Sequence, residues 1–152
     1  MRTVEGNILE AAKAPAVIVQ QVNCLGVMGA GLAKQIATKW PVVKLHYTNL
    51  CRGFEAHSPE LMGEVQFVEV SESVYVANLF GQNGYGRGQC FTDYTVYPRA
   101  LKSLLQAPVQ SPQVYIPYGL GCGLAGGDWS VMEPLLEKYC PDAILVKYSP
   151  DA

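Results

Sequence analysis

The sequence predicts a three-layer α/β/α sandwich with a mixed central sheet, and three observations carry that expectation. Short, β-branched apolar runs alternate along the chain with stretches of helical periodicity, as when strands cross to helices packed on a sheet. Residues 63–70 instead alternate polar and apolar side chains with period two and are followed, after Ser71-Glu72-Ser73, by a second run at 74–80. That pair reads as a hairpin, so the sheet is mixed rather than wholly parallel. Finally, 152 residues at 49% hydrophobic and 16% charged make one domain, 1–152, able to bury about two thirds of its unfolded surface without a metal or disulfide staple.

Taken in order, Thr3-Val4 begins a short strand that ends at Glu5-Gly6-Asn7, and residues 8–12 offer one helical turn before Pro15. Residues 16–22 form a charge-free buried strand. A glycine-rich turn follows, then a helix carrying Leu32, Ile36 and Trp40 on one face. Pro41 either ends that helix or opens the next by taking its first position. The next helix, 42–51, carries Val43, Tyr47 and Leu50, and residues 52–59 form a polar, exposed loop that holds His57. After the hairpin, residues 81–88 are too glycine-rich for regular structure. A helix spans 93–105, unless Pro98 divides it into two shorter pieces. Residues 113–118 are a strand running into a second glycine-rich segment. Asp128 caps a helix with Val131, Leu135, Leu136 and Tyr139 as its buried stripe, and residues 143–148 close the sheet.

Composition narrows the function. A formal net charge of −2 and a pI near 5.6 argue against a protein that grips nucleic acid by neutralising phosphates. The five cysteines, Cys24, Cys51, Cys90, Cys122 and Cys140, are odd in number and widely spaced, without a CxxC pair or histidine cluster. They read as reduced thiols, so neither a metal site nor a disulfide framework is expected. With no apolar signal core and no run of membrane-spanning length, the expectation is a cytoplasmic monomer without membrane contact.

Two segments carry chemistry. In Asn23-Cys24-Leu25-Gly26-Val27-Met28-Gly29-Ala30-Gly31-Leu32 a buried strand breaks through a glycine turn into a helix. Glycines let a ligand approach the backbone, and the first helical N–H groups lack internal acceptors and favour an anion. Gly119-Leu120-Gly121-Cys122-Gly123-Leu124-Ala125-Gly126-Gly127 repeats the arrangement after another strand. Loops at the carboxyl ends of strands in an open α/β sheet flank a ligand crevice. Two such loops suit a diphosphate. Neither is a GxxxxGK[ST] or a GxGxxG dinucleotide fingerprint.

Together with Glu5-Gly6-Asn7-Ile8-Leu9 and Ile116-Pro117-Tyr118, these segments resemble a macro domain over nearly the whole chain. The resemblance is to the branch that contains terminal ADP-ribose protein glycohydrolases, DNA ADP-ribosyl glycohydrolase antitoxins and ADP-ribose 1''-phosphate phosphatases. It implies ADP-ribose, or an ADP-ribosylated substrate, in the crevice, with no cofactor, and nucleic acid only if it is itself ADP-ribosylated. It places Gly29, Ala30, Gly31 and Leu32 beside the diphosphate and distal ribose, and Asn23 at the ribose hydroxyls. Gly121, Cys122, Gly123, Leu124 and Ala125 would wrap the diphosphate from the other side, with Asn7 at the adenine and Ile8 also among the ligand-binding residues. Asn7 replaces an aspartate common there, and an amide oxygen accepts without charge assistance.

Two departures bear on catalysis. Family members with lysine chemistry carry that lysine about where Gln82 stands, and an aspartate where Ala125 stands. Glutamine forms no Schiff base and alanine is no base. The resemblance therefore implies hydrolysis by positioned water, either of a 1''-phosphate or of an ADP-ribosyl ester, with Asn23 holding the ribose and Asp128 or Asp93 orienting the water. Asp128 and Asp93 also read as helix caps. Arg87 on the loop after the hairpin could meet a terminal phosphate, and Tyr85, Tyr94 and Tyr118 could stack on a ring. The other reading is a binding module that holds ADP-ribose without turnover.

Overall fold

The computed structural model describes residues 1–54, 60–86 and 88–150. Arg87, His57 and most of the polar loop around it lie outside the described residues. Six strands form one sheet: β1 (Arg2–Gly6), β2 (Ala16–Asn23), β3 (Val65–Ser71), β4 (Val74–Gln82), β5 (Gln113–Pro117) and β6 (Ile144–Tyr148). Their order across the sheet is β1-β6-β5-β2-β4-β3. All neighbours run parallel except β3 and β4, which pair antiparallel, Val65 opposite Leu79 and Val68 opposite Val76. The sheet is mixed for the reason the sequence gives: the short link at 71–73 admits a hairpin and no crossover.

Helices cover both faces. On one lie α1 (Ile8–Ala11), α2 (Gly31–Lys39) and α3 (Pro41–Arg52); on the other lie α4 (Tyr97–Leu104) and α5 (Trp129–Tyr139). β2 is buried on both sides, so it needs no polar face. Ala16, Ile18 and Val22 meet Ile36, Val43 and Tyr47, while Val17 and Val19 meet Tyr97, Leu101 and Leu136. Each large side chain buried this way contributes about 1.5–3 kcal/mol.

Four expectations are resolved or corrected. Pro41 opens α3, where its missing N–H costs nothing, and Trp40 serves as the boundary residue of both helices. Pro98 marks a division: Asp93 caps a single 3-10 turn, Tyr94–Val96, and α4 starts at Tyr97. In α5 the buried stripe is Met132 and Leu136, with Leu135 and Tyr139 half-buried, and Val131 is 43% exposed. Met132 and Leu136 are four apart and so share a face, whereas Val131 is turned about 100° away from Met132. Leu50 of α3 is only half-buried, because Cys51, eight residues after Val43, takes the core position.

Among the described residues no helix is long and apolar enough to cross a membrane, and no group of three or more His, Cys, Asp and Glu could hold a metal.

Candidate functional site

The carboxyl ends of β2, β4 and β5 open into a crevice of about 710 Å³, walled on one side by the turn from β2 into α2 and on the other by the loop after β5. It lies where the strand order reverses direction across β2, as ligand crevices do in open α/β sheets.

The first wall is folded by Asn23. The ladder between β2 and β4 shifts register after Val22, so that Asn23 pairs with Gln82. The Asn23 side chain is buried, and its Oδ1 accepts from Leu25 N at 2.9 Å and from Val27 N at 3.4 Å, while Nδ2 donates to Val27 O at 2.8 Å. From α3 the Tyr47 hydroxyl reaches both Asn23 O, at 2.6 Å, and Oδ1, at 2.8 Å. Burial raises the pKa of that phenol, which keeps it a protonated donor. The turn this bracing creates ends at Gly31, whose φ of +59° favours glycine. At the start of α2, Ala30 supplies no side-chain cap. The first N–H groups of α2 are therefore left for the crevice, which Gly29, Ala30, Gly31, Leu32 and Ala33 line.

The second wall is a series of turns: Cys122 N donates to Gly119 O at 2.8 Å, Gly127 N to Gly121 O at 2.9 Å and Gly126 N to Gly123 O at 3.0 Å. These leave the N–H groups of Gly123, Leu124 and Ala125 without acceptors among the described residues. Gly121, Gly123, Leu124 and Ala125 line the crevice. Both walls thus offer backbone donors to one space.

Most of the expected site residues are brought together here: Asn23, Gly29, Ala30, Gly31, Leu32, Gln82, Gly121, Gly123, Leu124 and Ala125. Asn7, Ile8 and Cys122 are not among the lining residues. Asn7 Oδ1 caps α1 by accepting from Leu9 N at 3.0 Å, and Ile8 is buried in the core under α1. The Cys122 side chain turns to the face under α4 and α5, and burial together with the nearby Asp128 charge pushes its thiol up to about 11. Cys24 is likewise buried, its thiol also raised to about 11 by burial. Both stay protonated near neutrality and are poor nucleophiles.

The two aspartates stand outside the lining as well. Asp93 Oδ1 accepts from Thr95 N at 3.0 Å and from Thr95 Oγ1 at 2.5 Å. Asp128 Oδ1 accepts from Ser130 N at 2.9 Å and from Ser130 Oγ at 2.7 Å, and these bonds lower its pKa. Each carboxylate serves as a cap through its Oδ1. Tyr94 helps: its hydroxyl accepts from Asp128 N at 2.6 Å. Tyr85 and Tyr118 do line the crevice, and Tyr118 also packs on Trp129 with ring centroids 4.8 Å apart. Among the described residues the lining holds no Asp, Glu, Lys, Arg or His.

A polar network beneath the second wall was missed from sequence. Gln21 Nε2 donates to Gln82 Oε1 at 3.1 Å and to Thr92 Oγ1 at 3.0 Å, its Oε1 accepts from the Tyr97 hydroxyl, and Thr92 Oγ1 donates to Gly121 O at 2.6 Å. The available signal was Gln20-Gln21 inside an otherwise apolar buried strand, since buried amides must find partners.

The site and its sheet define an α/β/α domain in which two loops bring unpaired backbone N–H groups to one crevice. In fold the chain is macro-domain-like. Among structures it is similar to a macrodomain protein from Streptomyces coelicolor, at a TM-score of 0.76 and 28% identity, covering 97% of each chain. Among curated proteins it is similar to the ADP-ribose 1''-phosphate phosphatase of Candida glabrata, 29% identical over 98 residues, a match spanning 60% of this chain and about half, 53%, of that protein. The protein of the same name from Saccharomyces cerevisiae is 22% identical across 95% of this chain and 96% of its own length. No family model matches the sequence.

Proposed function

We propose that the crevice binds ADP-ribose with its diphosphate between the two loops, and that the chain hydrolyses a derivative substituted at the distal ribose. The substrate is ADP-ribose 1''-phosphate or an ADP-ribosylated molecule. The observation that carries this reading is the convergence of two sets of unpaired backbone N–H groups, at the start of α2 and at 123–125, on one crevice of about 710 Å³. Dipoles fixed at helix starts and glycine turns bind phosphate oxygens without a cation. The names of the two yeast relatives support the phosphatase form of the reaction.

With Asp93 and Asp128 occupied as caps, the reaction draws on orientation: a water held against the bound phosphates and aimed at the ribose substituent, with Asn23 and Gln82 at the crevice floor. Fixing reactants in this way replaces part of what a general base would supply. The same lack of charged lining favours a second reading, a module that binds ADP-ribose and does not turn it over. Calorimetry with ADP-ribose, AMP and NAD, paired with phosphate release from ADP-ribose 1''-phosphate and label loss from an ADP-ribosylated protein, separates the two. Tight ADP-ribose binding with turnover above that of a loop-deleted control supports the enzyme, and binding without turnover supports the module. Absence of ADP-ribose binding overturns both.

A further inference from the structure

Gly121 sits at the centre of the second wall with φ of +74°, in a stretch where a peptide plane can turn either its N–H or its carbonyl toward the crevice. The sign matters, because a carbonyl oxygen facing a phosphate repels it while an N–H attracts it. In the structure the Gly121 carbonyl is held by two donors, Thr92 Oγ1 at 2.6 Å and Gly127 N at 2.9 Å. Thr92 is itself fixed. It is 7% exposed, it faces Gln82 across an isolated antiparallel bridge, and its hydroxyl accepts from Gln21 Nε2 at 3.0 Å. Gln21 is clamped in turn by Gln82 Oε1 at 3.1 Å and by the Tyr97 hydroxyl. There is no slack around it: a Cβ on Gly121 would stand 2.8 Å from Gln21 Oε1 and 3.1 Å from Thr92 Oγ1, and one on Gly81 would stand 2.8 Å from Gln21 Oε1.

We infer that Thr92, set by Gln21 and Tyr97, is a positioning residue that pins the Gly121 carbonyl in place and so keeps the N–H groups of Gly123, Leu124 and Ala125 directed at the anion. The inference rests on the reading of the crevice as an ADP-ribose site. It assigns the β4–α4 segment a task beyond connection: Thr92 Oγ1 and Phe91 N, the latter donating to Ala125 O at 2.7 Å, brace the second wall at both ends. One carboxamide, Gln21 of β2, bonds to Gln82 of β4, to Thr92 in the β4–α4 segment and to Tyr97 of α4.

The experiment compares Thr92→Val, which keeps the shape and removes the hydroxyl, with Thr92→Ser, which keeps the hydroxyl. ADP-ribose affinity is measured by calorimetry, melting temperature by scanning calorimetry, and amide hydrogen exchange at Cys122 and Gly127 by NMR. The expected result is that Thr92→Val loses at least ~5-fold in ADP-ribose affinity, a loss larger than its melting temperature foretells, with faster exchange at Cys122 and Gly127. Thr92→Ser returns both to the parent's values. Parental affinity in Thr92→Val overturns the inference, as does a Thr92→Ser variant that fails like the valine. If the parent itself binds no ADP-ribose, the ligand reading has failed instead; unchanged exchange in Thr92→Val then overturns the positioning role independently.

Discussion

At the scale of single residues, the same carboxylate can serve a helix or a reaction, and geometry separates the two. Asp128 stands three residues beyond Ala125, yet its Oδ1 is spent on Ser130 and it is absent from the crevice lining. Its pKa is lowered by those hydrogen bonds, so the capped form is favoured by the ionised carboxylate. A depressed folded pKa contributes stability that is present above the unfolded value, about 4, and lost as pH falls through the folded one. Asp128→Ala is therefore expected to melt lower than the parent at pH 7, with the difference shrinking toward pH 3, while ADP-ribose affinity stays within about twofold. Melting curves at the two pH values and one binding isotherm check this. A tenfold loss of affinity in a folded Asp128→Ala would return the carboxylate to the ligand.

At the scale of elements, the walls are strand-to-helix connections whose glycines have separable duties. Gly31 has φ of +59°, so any side chain there strains the entry to α2 as well as meeting the ligand. Gly29 and Gly123 lack positive φ, and a Cβ on either meets nothing within 4 Å. Substitution at these two tests the proposed anion site with the least strain on the fold. Gly123→Glu and Gly29→Glu are expected to lower ADP-ribose affinity at least ~10-fold, about 1.4 kcal/mol, with melting temperatures near the parent's. Gly31→Glu should lose both, and Gly53→Glu, outside the crevice, neither; the four isotherms and melting curves decide. These walls were legible in the sequence because glycine spacing, an apolar strand before and a helical stripe after are all local. The Val131 assignment failed because two adjacent apolar residues both fit a helical stripe until the sheet selects a face. The network of Gln21, Thr92 and Tyr97 was illegible because its members stand 71 to 76 residues from Gln21, and no periodicity encodes such a meeting. Asn7, Ile8 and Cys122 came from likeness of motif, which transfers a position along the chain more reliably than the direction in which a side chain points.

At the scale of the whole molecule, the net charge of −2 and the uncharged crevice lining among the described residues describe a protein that would hold a dianion without a countercharge at the site. On the proposed reading the attraction comes from oriented N–H groups of two loops, braced by Asn23 on one side and by Gln21 with Thr92 on the other. Such donors do not titrate. A site that relied on histidine would lose affinity as pH rises through about 6.5, where imidazolium gives up its charge, and one that relied on carboxylates would change below about 5. The diphosphate of ADP-ribose keeps its charge over the intervening range. ADP-ribose affinity is therefore expected to vary by less than about threefold between pH 5.5 and 8.5 at constant ionic strength. Isothermal titrations at four pH values across that interval check it. A transition centred near 6.5 would mean that an imidazolium contributes to the site, and the cradle of backbone dipoles would no longer suffice as the source of affinity.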